Sequence, residues 1–248
     1  MKSVLTVENV IKRYKHSDKN ALNYLNLIVN EGDIYGFLGP NGAGKSTTIK
    51  ILSGLISYDE GCINIMGKNI KEHREQLKKS IGIVPQDIAV FPSLTAYENL
   101  RIFGSIYGIE KKALKERIDC LLTMFGLDDN KKRKIEHYSG GMKRRINLII
   151  GILHKPSFLL LDEPTVGIDV QSKSLIIENL RKLNQEGTTI LYTSHDMNEA
   201  QNFCTKVGII DEGAIIAEGS PLDLITRSTA YSNLESVYLH LIGKSLRA

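Results

Sequence analysis

Apolar residues along the chain cluster in short runs that predict strands. Four compact runs are continuous rather than alternating, and long intervals separate them: residues 34–38, 81–84, 158–161 and 189–192. Continuous runs of this length are typical of strands buried on both faces of a mainly parallel sheet, with helices between the strands. The pattern therefore predicts an α/β fold.

Weaker strand signals lie on either side of these runs. Near the N-terminus, apolar positions alternate over residues 4–14, and a second strand signal over residues 25–37 contains a turn at 31–33. Residues 207–219 have the form of a β-hairpin with its turn at 212–213. We therefore expect short strands at the N-terminus and a hairpin after the last continuous run.

The apolar spacing changes to that of helices between residues 94 and 126. No repeat, low-complexity tract or flexible linker divides the chain. We predict a single domain over residues 1–248, with an inserted helical lobe at about 87–156 and a helical tail at about 221–248. In the second helical segment, apolar residues recur at intervals of three and four: Ala113, Leu114, Ile118, Leu121, Leu122 and Phe125.

Composition and charge exclude several classes of protein. A net charge of +4 is too small to indicate a nucleic-acid binder. Cys62, Cys120 and Cys204 are far apart and lack metal-ligand spacing, which predicts reduced thiols. No stretch approaches the roughly 20 apolar residues of a membrane span, and the N-terminus lacks the features of a signal peptide. We therefore expect a soluble, cytoplasmic protein that reaches a membrane only through a partner.

Basic residues are concentrated between positions 131 and 145, where Glu136 is the one acidic residue. Such a cluster is compatible with an ordinary solvated face, or with a local positive potential that favours an anionic ligand. Both interpretations stay open at the level of sequence. The cluster consists of Lys131, Lys132, Arg133, Lys134, Lys143, Arg144 and Arg145.

Residues 39–47, GPNGAGKST, match the pattern G-x-x-x-x-G-K-[ST] between an apolar strand and a helical pattern. That context favours a phosphate-binding loop over a glycine turn that only starts a helix. Glycines let backbone N–H groups surround phosphate oxygens, and the helix N-terminus adds a favourable dipole. Lys45 brings positive charge to the β- and γ-phosphates, and the Ser46 hydroxyl can bind Mg²⁺. The predicted loop is Gly39, Pro40, Asn41, Gly42, Ala43, Gly44, Lys45, Ser46 and Thr47.

The segment FLLLDEP, residues 158–164, places two carboxylates at the end of an apolar strand. The carboxyl ends of strands in open α/β sheets are where ligands bind. Asp162 is predicted to hold Mg²⁺, and Glu163 to orient and deprotonate the attacking water. An apolar strand followed by Asp-Glu is common, so this hypothesis depends on the phosphate loop.

Residues 136–145, EHYSGGMKRR, predict a helix that Ser139 caps and that glycines leave open at its start. An open helix start is an anion site, yet the chain already has a phosphate loop. Two phosphate sites in one sequence therefore suggest that two copies complete each other.

Together these motifs resemble the ATP-binding subunits of ATP-binding cassette (ABC) transporters, over essentially the whole chain. The family signature is usually Leu-Ser-Gly-Gly-Gln, whereas this chain has Tyr-Ser-Gly-Gly-Met, as in the drug- and antibiotic-exporter branch. The resemblance implies a P-loop NTPase core with a mainly parallel sheet, an N-terminal antiparallel β subdomain and an inserted helical subdomain. It also implies ATP and Mg²⁺, a second cassette (an identical copy or a sister chain), and a separate integral-membrane permease. The signature residues are Ser139, Gly140, Gly141 and Met142.

The resemblance gives roles to four further residues. Tyr14 matches the aromatic that stacks on adenine, and Gln86 matches the glutamine that senses Mg²⁺ and the attacking water. Asp169 matches the D-loop aspartate, although Val-Gly-Ile precedes it instead of Ser-Ala-Leu. His195 matches the switch histidine that contacts the γ-phosphate. Taken singly, Tyr14 would be a core residue, Gln86 an ordinary loop residue and His195 a structural residue. The implied catalytic set is Glu163, His195, Gln86 and Lys45, and the implied Mg²⁺ ligands are Ser46, Gln86 and Asp162.

Two other functions remain as alternatives. A non-transport ABC ATPase of DNA repair or translation usually carries two cassettes or a long coiled-coil insertion, and this sequence has neither. A P-loop kinase or GTPase would not need the glycine-rich signature, and the guanine-specific Asn-Lys-x-Asp motif is absent. Within transporters, export is favoured over import, and the sequence does not predict the cargo.

Overall fold

The computed structural model describes residues 2–245, with side chains up to residue 243. The chain divides into two compact units. The first unit lies within Met1–Leu77 and Thr189–Ala248, and the second unit is Lys78–Thr188. The single domain with a helical lobe at about 87–156 stays a prediction. The last part of the predicted tail, residues 246–248, lies outside the described residues, as does Met1.

The first unit begins with these elements: β1 (Ser3–Arg13), β2 (Asn20–Asn30), β3 (Ile34–Leu38), α1 (Lys45–Leu52), β4 (Glu60–Ile65), β5 (Lys68–Asn69) and α2 (Arg74–Leu77). The second unit contains β6 (Ile81–Val84), α3 (Ala96–Ile106), α4 (Lys111–Met124), α5 (Gly140–Ile152), β7 (Phe158–Asp162) and α6 (Val170–Gln185). The first unit then continues with β8 (Thr189–Ser194), α7 (Met197–Phe203), β9 (Lys206–Asp211), β10 (Ala214–Gly219), α8 (Pro221–Thr226) and α9 (Leu234–Ser245).

The strand pairings confirm the predicted α/β class with one antiparallel and one mostly parallel sheet. In the first unit, β1 pairs antiparallel with β2 and β4, and β4 pairs with β5. Strand β3 lies between β8 and β9 and is parallel to both, while β9 and β10 form an antiparallel hairpin. In the second unit, β6 and β7 are parallel. Every residue of β3, β7 and β8 is buried, as expected for continuous apolar runs.

Most of the longer helices that the structure describes have a polar N-cap residue, directly before the first turn, whose side chain binds backbone N–H groups of that turn. Thr95 and Glu98 form a capping box at α3, in which each side chain binds the other's backbone N–H. The Glu110 carboxylate accepts from two backbone N–H groups of α4. Ser139 caps α5 and Asp169 caps α6 in the same way. The cap predicted for Ser139 is therefore confirmed.

Two parts of the fold differ from the sequence prediction. Strand β2 begins at Asn20, five residues before the predicted signal, because its N-terminal half alternates only weakly. The hairpin of β4 and β5 was not predicted, since it contains no continuous apolar run. Its signal is the alternation of Ile63 and Ile65, followed by a turn in which Met66 and Gly67 have φ values of 51° and 74°.

Cys62, Cys120 and Cys204 are free thiols in the structure. Among the helices that the structure describes, none has the length and apolar character of a membrane span.

Candidate functional site

The predicted phosphate loop lies in the first unit, between β3 and α1. Gly44 precedes α1 with a φ of 113°, and Gly42 has a φ of 84°, a backbone conformation that side-chain-bearing residues rarely adopt. A Cβ at Gly44 would lie 2.7 Å from the carbonyl oxygen of Ala21, and one at Gly39 would overlap the carbonyl oxygen of Ile210. The glycines of the motif are therefore required by the shape of the loop itself.

Lys45 folds back over this loop instead of extending into solvent. Its side chain is buried, and its Nζ donates to the carbonyl oxygens of Gly39, at 2.7 Å, and Pro40, at 3.1 Å. The ammonium group is thus fixed beside the backbone that begins the loop. A fixed cation next to glycine N–H groups and a helix N-terminus favours a polyphosphate anion.

Tyr14 lies directly after β1 and is not a core residue. Its side chain is 40% exposed, and its hydroxyl lies 3.2 Å from the Thr47 Oγ1. Thr47 belongs to the first turn of α1. The structure therefore brings Tyr14 to the phosphate loop with its ring accessible, and the alternative of a buried core tyrosine is wrong.

His195 follows the fully buried strand β8 and is exposed. The next residue, Asp196, caps α7 by accepting from the Glu199 backbone N–H at 2.9 Å. The Asp196 backbone N–H donates to the Ser194 Oγ at 3.0 Å, which tightens the strand-to-helix turn. His195 is therefore presented to solvent from a short turn that hydrogen bonds hold on both sides.

In the second unit, Asp162 ends β7 and Glu163 follows it. Both are buried, with exposed fractions of 6% and 7%. Glu163 has a φ of 48°, in the left-handed region that is uncommon for a residue other than glycine. Its carbonyl oxygen accepts from the Val166 backbone N–H at 3.3 Å, which closes a turn. Strained backbone of this kind is enriched at functional sites, and nothing in the sequence indicates it.

The signature residues form the start of α5. Ser139 is exposed, and its Oγ accepts from the Met142 backbone N–H at 3.2 Å. A Cβ at Gly140 would have no neighbour closer than the Gly167 carbonyl oxygen at 4.0 Å, so this face of the first turn is open. The N-terminus of α5 is an exposed positive dipole end without an acidic residue in its first turn.

Gly141 packs against the start of α6, where Asp169 is the cap. The Asp169 Oδ1 accepts from the Ser172 backbone N–H at 2.9 Å, and this bond is the main cause that lowers the pKa of Asp169. The structure thus brings the signature and the predicted D-loop aspartate together. It also gives Asp169 a structural role as a helix cap that the sequence analysis missed.

Substitution of the two glycines by alanine is expected to separate close packing from helix propensity. A Cβ at Gly141 would overlap the Ser172 hydroxyl and lie 2.8 Å from the Ser172 Cβ. Gly141→Ala should therefore lower the free energy of unfolding by about 1–3 kcal/mol. Gly140→Ala, with open space at the same helix end, should leave it unchanged or raise it slightly. Denaturant unfolding of both variants measures the difference, and equal stabilities would contradict this packing.

Gln86 lies in the loop after β6, and two side chains of α5 hold this loop by its backbone. Arg144 donates to the carbonyl oxygen of Gln86, and Asn147 donates to that of Pro85 at 3.1 Å. The Asn147 Oδ1 also accepts from the Ala89 backbone N–H at 3.2 Å. The sequence analysis did not identify either Arg144 or Asn147 as a support of this loop.

The basic cluster does not form one charged face. Arg144 is 7% exposed, and Arg145 donates to the carbonyl oxygen of Phe125 at 2.8 Å. Lys131 pairs with Asp119 at 3.1 Å. Burial lowers the pKa of both arginines below the ordinary value. Neither sequence interpretation therefore describes Arg144, which is an interior residue.

Comparisons with known proteins agree with these motifs. Residues 22–166, more than half of the chain, match the family model described as "ABC transporter". The chain is 46% identical over 224 residues to the linearmycin resistance ATP-binding protein LnrL of Bacillus subtilis (strain 168), covering 90% of this chain and 71% of that protein. It is 39% identical over 223 residues to the Nod factor export ATP-binding protein I of Cupriavidus pinatubonensis, covering 90% and 68% respectively.

A similar solved structure is a dimeric ATP-binding cassette in a post-hydrolysis state, bound to ADP and Pi. It has a TM-score of 0.79 and 28% identity, over 87% of this chain and 98% of that chain. The family match and the high identity to curated relatives rule out a P-loop kinase or GTPase. The chain therefore belongs to the ABC transporter family, as one of its ATP-binding and ATP-hydrolysing subunits.

Proposed function

We propose that this chain powers export through a separate integral-membrane permease, by closing with a second cassette around ATP. The observation that carries the proposal is the open, Ser139-capped start of α5 in a chain that also has a complete phosphate loop. Each chain has two helix starts that can bind an anion. In a pair of chains, the phosphate loop of one chain and the start of α5 of the other can bind the same nucleotide. The dimeric cassette bound to ADP and Pi supports this arrangement, and the names of the linearmycin and Nod factor relatives support export.

ATP binds first to the phosphate loop of one chain. Backbone N–H groups of residues 39–47 and the Lys45 ammonium contact its phosphates, and the accessible ring of Tyr14 stacks on adenine. The Tyr14 hydroxyl bond to Thr47 ties the adenine platform to the helix that holds the phosphates. Stacking on an aromatic ring contributes about 1–3 kcal/mol per base.

The residues assigned to Mg²⁺ present oxygen donors only: the Ser46 hydroxyl, the Gln86 side-chain amide and the Asp162 carboxylate. Hard oxygen ligands are those that Mg²⁺ prefers, so the donor set fits this ion. When bound, Mg²⁺ supplies positive charge to the β- and γ-phosphates. Ser46 and Asp162 lie at a helix start and at a strand end, where backbone structure fixes their positions.

Hydrolysis requires a base, and Glu163 is the proposed one. It takes a proton from the attacking water, whose oxygen forms the new bond to the γ-phosphorus as the bond to ADP breaks. The left-handed backbone at Glu163 sets the direction in which its side chain leaves the main chain. His195 contacts the γ-phosphate, and Gln86 orients the water.

The second cassette completes the site with its own signature. Its Ser139 hydroxyl, the N–H groups of Gly140 and Gly141, and the start of its helix α5 face the γ-phosphate, with Met142 behind them. Asp169 lies against Gly141 and so belongs to the same shared surface. Preorganised donors of this kind stabilise charge that develops in the transition state.

A non-transport ABC ATPase is the alternative, and the permease distinguishes the two. Helix α3 carries an exposed apolar pair, Ile102 and Ile106, with exposed fractions of 36% and 73%. They line a groove of about 540 Å³ with Leu94, Glu98, Arg101 and Ser105. A cytoplasmic helix of the permease, with apolar side chains towards Ile106 and polar ones towards Glu98 and Arg101, is the proposed occupant. The chain would then be cytoplasmic and peripheral on the inner face of the membrane.

Ile106→Glu is expected to abolish co-purification with the permease, because it puts a charge into the apolar contact. ATP binding by the isolated chain should not change. Leu222→Glu is the matched control, since Leu222 is 69% exposed on α8 of the first unit. Pull-down from detergent extracts measures the effect. Equal permease recovery with both variants would exclude this groove, and failure of the wild-type chain to recover any membrane protein would favour the non-transport alternative.

A further inference from the structure

Arg144 is a charged residue placed where charge is unfavourable. Its side chain is 7% exposed, and the Nε–H has no hydrogen-bond partner among the described residues. Burial lowers the pKa of Arg144, while the carboxylates of Asp87 and Glu163 raise it. A buried arginine with one unpaired N–H group does not stabilise the fold better than an apolar residue would, because apolar residues often replace buried charges without loss of stability.

The contacts that Arg144 makes explain its presence better. One guanidinium nitrogen donates to the carbonyl oxygen of Gln86, and the other donates to that of Val166 at 3.3 Å. Val166 belongs to the turn that Glu163 closes after β7. The planar guanidinium therefore bridges the loop after β6 and the loop after β7, which lie at the carboxyl ends of two paired strands.

Asn147 holds the same loop one turn further along α5. It binds the backbone on both sides of Gln86, through the Pro85 carbonyl oxygen and the Ala89 N–H. The Gln86 side chain itself is exposed while its backbone is fixed. An exposed polar side chain on a fixed backbone can act from a constant position.

We propose that Arg144, anchored on the Val166 carbonyl oxygen, is a positioning residue that fixes the backbone of Gln86 for ATP hydrolysis. The inference rests on the proposed function, in which Gln86 orients the attacking water. Because Ser139 caps the same helix, α5 joins the surface that meets the second cassette to the loop that carries Gln86. In this proposal Arg144 acts on hydrolysis through the backbone of Gln86.

A double-mutant cycle separates positioning from a merely structural role. Arg144→Met should reduce kcat by about 10- to 100-fold, because small displacements of an orienting group have effects of this size. The ATP dissociation constant of the isolated chain should stay within about twofold, since the loss is in turnover and not in binding. Gln86→Ala keeps the backbone carbonyl that Arg144 binds, so it removes the side chain without removing the contact.

In the Gln86→Ala background, Arg144→Met should reduce kcat by less than about twofold further, because both changes remove one function. Arg145→Met is the matched control: Arg145 is also partly buried on α5, but it donates to Phe125 and Gly141 carbonyls and not to the Gln86 loop. The reductions in kcat caused by Arg145→Met and by Gln86→Ala should be independent, so the double variant should show the product of the two. Arg144→Lys should recover part of the kcat that Arg144→Met loses. The lysine ammonium can bind one of the two carbonyl oxygens, whereas the planar guanidinium binds both.

Two results would overturn the inference: a kcat for Arg144→Met equal to that of the wild type, or a full additional loss in the Gln86→Ala background. The second result would mean that Arg144 acts on stability or elsewhere in the site, and thermal unfolding of the same variants would show which. A Gln86→Ala variant with normal turnover would instead contradict the role proposed for Gln86, and with it the reason for Arg144.

Discussion

Replacement of Glu163 by glutamine should leave ATP binding intact and reduce turnover by about 10²–10⁴-fold, the usual contribution of a general base. Glu163 is 7% exposed, and the amide of glutamine has the size of the carboxylate it replaces. The strained turn and the packing at the end of β7 should therefore not change. It cannot take a proton from water. The loss should therefore appear in kcat and not in nucleotide affinity.

Single-turnover release of phosphate and equilibrium binding of a fluorescent ATP analogue measure the two quantities. Glu178→Gln is the matched control, because Glu178 is an exposed residue of α6 that pairs with Lys182 at 2.7 Å. Surface pairs of this kind contribute little, so its turnover should stay close to that of the wild type. Full turnover by Glu163→Gln would remove Glu163 from the role of base.

Ser139→Arg should block closure of the cassette pair while each isolated chain still binds ATP. The arginine side chain fills the open space beside Gly140 through which a nucleotide held by the second chain must approach. It also removes the helix cap, a loss of about 1 kcal/mol. Because pair formation is required for hydrolysis, turnover should fall to the level of the isolated chain.

Light scattering with ATP in the Glu163→Gln background, where bound ATP persists, measures closure. Ser139→Ala removes only the cap, so it should weaken the pair less than the arginine does. Ser105→Arg adds the same bulk to an exposed residue of α3 and should leave the pair unchanged. If Ser139→Arg formed the ATP-bound pair at the same protein concentrations as the chain with Ser139, this result would contradict a shared site.

The fold was largely predictable because its central strands carry a strong signal. The apolar runs at residues 34–38 and 81–84 coincide with β3 and β6, since strands buried on both faces need apolar residues at every position. The hairpin of β4 and β5 has one exposed face and only two strongly buried positions, Ile63 and Ile65. Such a short alternation is indistinguishable from a loop in a single sequence.

The site was predictable in its motifs but not in its supports. Ser139 could be identified as a cap because serine before glycine and an apolar helix is a local pattern. Arg144 could not, because it stands in a run of basic residues that indicates a surface, whereas tertiary packing turns it inward. The cap at Asp169 is by contrast a local contact with the Ser172 backbone N–H, so an aspartate directly before a helix was a signal that could have predicted it. The positive φ of Glu163 has no such signal in the residue sequence. The catalytic and ligand-binding roles themselves stay predictions until variants are measured.

The dependence of the specific ATPase rate on protein concentration tests most directly whether two chains share each nucleotide. The rate per chain should rise with concentration in step with the fraction of paired chains, measured by light scattering in the same samples. Dilution to isolated chains should reduce it to near zero. A specific rate that stays at its maximum where only isolated chains are present would contradict the account.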